Sequence, residues 1–181
     1  MKFFKYALLA STLIFASCSD DDDNTPDPVN EEEVITTLTV TLDSGSDTVV
    51  MQYQDLDGDG PDAATVTVSG SLTANTVYDG SIVLLNETES PAENVTEEIE
   101  EEDLDHQFFY TVGSGLDVDA EYADADSEGN PLGINFILNT GVASSGGLTF
   151  TLRHEPNKPN TGLENAGGET DIEVTFDVTV E

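Results

Sequence analysis

The chain's two histidines, His106 and His154, stand among 38 acidic residues. His106 closes an acidic run: between Glu97 and Asp105 every residue except Ile99 and Leu104 is Asp or Glu. Glu98, Glu102 and His106 are spaced i, i+4, i+8, so a helix carried through His106 puts two carboxylates and an imidazole on one stripe. Such a stripe suits a divalent metal such as zinc, copper or iron, with geometry deciding which. His154 and Glu155, at the end of a later strand, add donors from another part of the fold. The plain alternative is a solvated helix face, closed by a histidine that meets the negative end of the helix dipole.

A second donor set, Asp55, Asp57, Asp59 and Asp62, spaces carboxylates along one loop, the all-oxygen chemistry that calcium favours. An EF-hand would need a bidentate Glu at its twelfth position, which here is Val66, and helices rather than strands on either side. Asp124-Ala125-Asp126-Ser127-Glu128-Gly129-Asn130 repeats the flavour more weakly. Asp, Asn and Gly are also what tight turns require. No nucleophile elbow, zinc-protease helix or phosphate loop is present. Paired acids are too abundant to single out a glycosidase pair. The reading is of a protein that binds rather than catalyses.

Cys18 is the sole cysteine, so it has no internal disulfide partner. It follows MKFFKYALLASTLIFAS, in which Lys2 and Lys5 give a positive start and residues 7–16 an apolar run too short to span a bilayer. Phe15-Ala16-Ser17-Cys18 resembles a lipobox, with Phe15 where Leu is usual. The resemblance implies a signal peptide of residues 1–17, removed so that Cys18 becomes the lipidated (palmitate-bearing) first residue. The acidic Ser19-Asp20-Asp21-Asp22-Asp23-Asn24 resembles the export signal of Bacteroidetes lipoproteins, which implies lipid anchoring at the outer membrane, on the cell surface. A block of like charges also repels itself into an extended tether. Residues 18–33 are therefore read as an acidic flexible tether and 34–181 as the folded domain.

The formal net charge is −34. Beyond the signal, only Arg153 and Lys158 are basic. Such a surface repels nucleic acid and anionic lipid, and leaves cations and basic protein surfaces as partners.

These residues must be positioned by strands. Apolar and polar residues alternate over 34–42, 47–54, 64–72, 76–86, 107–112, 116–122, 132–138, 148–154 and 171–180, with Gly, Asn, Asp or Pro in most gaps. About nine short strands without βα alternation predict a mostly β, antiparallel β-sandwich of immunoglobulin-like or Greek-key wiring. One segment departs from period two. Ser90 as cap, Pro91 in the first turn and Glu93 as capping-box partner predict a single crossover helix over 91–105, with Ala92, Val95 and Ile99 on its inner face.

The runs Asn30-Glu31-Glu32-Glu33-Val34-Ile35-Thr36-Thr37, Asp55-Leu56-Asp57-Gly58-Asp59-Gly60, Leu85-Asn86-Glu87-Thr88-Glu89-Ser90-Pro91-Ala92-Glu93 and Thr96-Glu97-Glu98-Ile99-Glu100-Glu101-Glu102, with Leu152-Arg153-His154-Glu155-Pro156-Asn157-Lys158 and Gly168-Glu169-Thr170-Asp171, carry a likeness over nearly the whole mature chain. Together they resemble a family of small flavobacterial lipoproteins. Its members are labelled hypothetical or "type 1 periplasmic-binding fold" and occur beside TonB-dependent outer-membrane receptors. That label implies two α/β lobes, for which this chain has neither the length nor the helices. The resemblance implies an envelope location and a TonB-dependent receptor as partner, and carries over no residue's chemistry. The sequence thus leads to a lipid-anchored envelope binding protein, an accessory to outer-membrane uptake that binds a divalent cation. The alternative is an acidic adhesion or structural module that meets basic partners. An enzyme acting on glycans or peptides, the third reading, needs a pocket of convergent perturbed groups.

Overall fold

Alternation builds the strands. In β1 (Thr37–Asp43) Leu38, Val40 and Leu42 are buried while Thr39 and Thr41 are not. In β9 (Glu169–Val180) Ile172, Val174, Phe176, Val178 and Val180 point inward and the residues between them face solvent. A period of two can bury only one face, and two such faces must meet. The computed structural model describes residues 33–58, 60 and 62–181. The expected signal peptide, Cys18 and all but the last residue of the expected tether lie outside the described residues, as do Asp59 and Pro61.

Nine strands form two antiparallel sheets among the described residues, a β-sandwich. One sheet holds β3 (Thr65–Val68), β2 (Thr48–Gln54), β1, β4 (Val77–Leu85), β7 (Asn135–Thr140) and β6 (Val118–Tyr122), in that spatial order. The other holds β5 (His106–Val112), β8 (Ser144–His154) and β9, with β8 central. The order β3-β2-β1-β4 is a Greek key: three consecutive strands, then a fourth that returns beside the first. The sheets meet through aromatic rings. Phe150 of β8 lies 5.6 Å from Phe136 of β7, 5.7 Å from Tyr110 of β5 and 6.0 Å from Phe176 of β9, measured between centroids.

The crossover helix forms, but shorter than its capping pattern predicts: α1 spans Val95–Glu101. Its expected start is taken by a bridge in which Asn86 and Glu93 exchange both backbone hydrogen bonds, at 3.1 and 3.0 Å, so Pro91 and Ala92 belong to the connection between them. Its end comes early because consecutive acids crowd the negative end of the dipole with no basic residue in the last turn. Residues 102–105 then turn, and His106 opens β5 rather than closing a helix. Val95, Thr96 and Ile99 bury against β4, where Leu84 N–H donates to the Thr96 hydroxyl at 2.7 Å. A second, four-residue helix, α2 (Leu163–Ala166), was not expected.

Several strand limits also move, β1 for instance starting at Thr37 rather than Val34. β3 ends at Val68, and Leu72 instead bridges Val180 in parallel fashion. β7 starts at Asn135 because Leu132 pairs elsewhere, its carbonyl accepting from Phe108 N–H at 2.8 Å, and Gly133 turns the chain at φ +91°. β8 begins four residues earlier than the alternation suggests, at Ser144.

Candidate metal centre

The small sheet brings the two histidines together. His106 on β5 stands directly opposite His154 on β8, both on the inward face that Phe108 and Leu152 continue. Cross-strand neighbours on one face lie within contact distance. Their rings stack with centroids 4.7 Å apart and planes 15° from parallel, at 0% and 5% exposure. His106 Nδ1 lies 3.2 Å from the carbonyl oxygen of Glu102, at the frayed end of α1. A proton on Nδ1 donated there leaves the Nε2 lone pair aimed at the site, the arrangement by which a backbone carbonyl orients a ligating imidazole.

Asp171 arrives through a β-bulge. Leu152 faces Ile172, but Arg153 faces Thr170, so Asp171 is the extra residue of β9. Strict alternation would turn its carboxylate outward with Glu173. The bulge re-aims it beside His154, with Asp171 Oδ1 3.9 Å from His154 Nδ1. Glu33 comes from the chain just ahead of β1, and its Oε1 lies 3.1 Å from His106 Nε2. Although read as the last residue of a tether, Glu33 has a side chain that is only 7% exposed. One donor atom from each of Glu33, His106, His154 and Asp171 lies within 4.8 Å of the others.

This group could hold a metal ion. Tetrahedral zinc, with bonds of about 2.0–2.2 Å, sets its donors about 3.3–3.6 Å apart, so the widest pair closes by little more than about 1 Å on loading. Two imidazoles and two carboxylates suit zinc and its neighbours, whereas calcium prefers six to eight oxygens. The ion pair of His106 and Glu33 is close but not aligned as a hydrogen bond, and among the described residues His106 Nε2 and Glu33 Oε2 are buried without a hydrogen-bond partner.

Electrostatics tie the pair together. Burial works to lower the His106 pKa, but the Glu33 carboxylate beside it, the Glu102 carbonyl and the Asp171 charge outweigh burial and hold it above 6.5. Burial works to raise Glu33, and His106 outweighs that too, holding Glu33 below 4.5.

The two basic residues of the domain brace the loops that deliver these donors. Lys158, just after His154, donates to the Asp103 carbonyl at 2.6 Å and pairs with Asp126 at 3.1 Å, fastening the turn that leads into His106. Arg153 reaches the other way, with Nη2 donating to the carbonyls of Gly167 at 2.7 Å and Gly168 at 2.6 Å, just ahead of the bulge. Gly168 itself admits no side chain. A Cβ there would lie 2.1 Å from the His154 carbonyl oxygen, and its φ is +69°.

The other expected donors go elsewhere. Glu98 is exposed on α1, and burial, the charge of Glu93 and a hydrogen bond with it raise its pKa. Glu102 contributes its carbonyl rather than its exposed carboxylate. Glu155 is exposed at φ +48°, with its N–H donating to Asp105 O at 2.6 Å. The sequence names both histidines as donors but not the strand pair that joins them, nor their carboxylate partners: Glu33 is one acid in an acidic run, and only the bulge turns Asp171 inward.

In the aspartate loop, Asp55 Oδ2 accepts from the Tyr53 hydroxyl at 3.3 Å and Asp57 Oδ2 from Asp62 N–H at 3.2 Å. Asp55, Asp57 and Asp62 line a cavity of about 230 Å³, and Asp59 lies outside the described residues. The 124–130 loop is turn chemistry. Asp124 accepts from the N–H groups of Gly133 and Asn135, and Asp126 from those of Glu128 and Asn130. Comparison with protein-family models, curated proteins and solved structures gives no match.

Proposed function

We propose that this is a lipid-anchored, metal-binding envelope protein whose β-sandwich carries a divalent transition ion, zinc foremost, on Glu33, His106, His154 and Asp171. The observation that carries this reading is the burial of both histidines, stacked, against two carboxylates. Removing two carboxylates from water is costly unless their charge is compensated. A divalent cation with two neutral imidazoles compensates it in full, leaving a neutral centre. Four protein donors fill a tetrahedral shell, which favours holding an ion over activating a water on it. The N-terminal sequence supports an anchor at Cys18 and an outer-membrane address. The family resemblance supports a TonB-dependent receptor as the partner that an accessory to uptake would serve.

Titration of the full chain with zinc, copper, iron and calcium tests the metal reading. One zinc ion per chain is expected to bind, with calcium silent at this site. His106→Ala or His154→Ala should weaken zinc at least roughly 10–100-fold, the loss typical even of groups that merely support a ligand. A flat zinc trace with the unaltered protein ends the reading.

A further inference from the structure

The four donors are not equivalent in how they are held. His106, His154 and Asp171 sit at one end of the small sheet, on three neighbouring paired strands braced by Lys158 and Arg153. Their positions are set by backbone ladders that exist whether or not an ion is present. Glu33 is attached differently. It precedes β1, a strand of the opposite sheet, and Val34 beside it is 55% exposed. Among the described residues, the first backbone hydrogen bond from this end to the sheet is made at Thr36, whose N–H donates to Leu85 O at 3.0 Å. Ile35 packs only partly against the core. Ahead of Thr36, the carboxylate's ion pair with His106 fastens this end, and Glu33 Oε2 has no hydrogen-bond partner among the described residues.

We infer that Glu33 is a metal-operated latch: a divalent ion held by His106, His154 and Asp171 takes Glu33, which already lies against His106, as its fourth ligand and pins residues 33–35 to the sandwich. This rests on the metal reading above and adds a consequence to it. How firmly residues 33–35 are held then depends on metal occupancy. Releasing Glu33 opens the shell without disturbing a single strand pairing. Local openings of this kind are cheapest where few backbone hydrogen bonds and little buried surface resist them.

Hydrogen–deuterium exchange on the full chain, with and without zinc, reads the latch directly at the amides of Val34 and Ile35. Zinc is expected to slow their exchange by about tenfold or more. In Glu33→Ala, zinc should still bind the remaining three ligands, at least roughly 10-fold more weakly and with faster release, while protection of these amides no longer responds to it. Glu33→Gln, which keeps the side chain's shape, should behave as Glu33→Ala does. If zinc binds the unaltered protein and leaves these amides unchanged, the latch is overturned and the metal reading stands. If Glu33→Ala keeps the full zinc-induced protection, the latch is likewise overturned. If zinc does not bind the unaltered protein, both fall together.

Discussion

Zinc in about 1,000-fold excess over its dissociation constant is expected to stabilise the folded protein by about 4.1 kcal/mol. For a domain of this size that is a rise in Tm of roughly 8–16 °C. The gain arises because the ion binds a constellation that only the folded chain assembles, with donors from ahead of β1, from β5, from β8 and from β9. His154→Ala, binding zinc roughly 10–100-fold more weakly, should cut that stabilisation to about 1.4–2.7 kcal/mol. The pH dependence has a definite sign. Zinc must displace the proton that Glu33 helps keep on His106, whose pKa lies above 6.5. The zinc-induced rise should therefore shrink as pH falls through that raised value. Without metal the trend runs the other way on the alkaline side. Stabilisation from protonated His106 is fully present below about 6.5 and is lost as pH rises through its folded value. Glu33 contributes above 4.5 and its share is lost as pH falls through its lowered value. The loaded and metal-free melting curves should thus separate progressively from pH 6 toward pH 8. Differential scanning calorimetry across that range checks it, and a zinc effect that grows toward pH 5 would contradict it.

Phe150→Ala is expected to cost about 3–5 kcal/mol, lowering Tm by roughly 6–20 °C. Phe150 is fully buried on the central strand of the small sheet and touches rings of both sheets. Its removal leaves a void bounded by Tyr110, Phe136 and Phe176, and forfeits edge contacts worth about 0.5–1.5 kcal/mol per aromatic pair beyond the area buried. Paired strands anchored by hydrogen-bond ladders collapse little into such a void. Thr149→Ala, one residue away on the outer face, should change stability by only about 0.5 kcal/mol. Urea unfolding of both variants in chelator separates this packing effect from metal binding.

The sandwich was legible because period two is written plainly in runs such as Leu38-Thr39-Val40-Thr41-Leu42, and turn residues separate them. Spatial order was less so: that β4 lies beside β1, and that β5, β8 and β9 form a sheet of their own, depends on contacts between distant residues. The helix is shorter than its sequence pattern at both ends, for separate reasons. The Asn86–Glu93 bridge claimed the residues that a capping box would have used, and like charges ended the helix before His106. The stripe of Glu98, Glu102 and His106 therefore does not form, and His106 meets His154 across a strand pair instead. In a chain this acidic, the identity of a carboxylate says little about its role. Asp171 is distinguished from Glu173 only by a one-residue bulge, and Glu33 from its acidic neighbours only by the fold's path past His106.

Crystals of the zinc-loaded protein, measured at the zinc absorption edge, give the most direct test of the metal centre. The expected result is one anomalous peak among Glu33, His106, His154 and Asp171, with two nitrogen and two oxygen donors at about 2.0–2.2 Å. A peak on the exposed acids of α1, or no peak beside the stacked histidines, would contradict it.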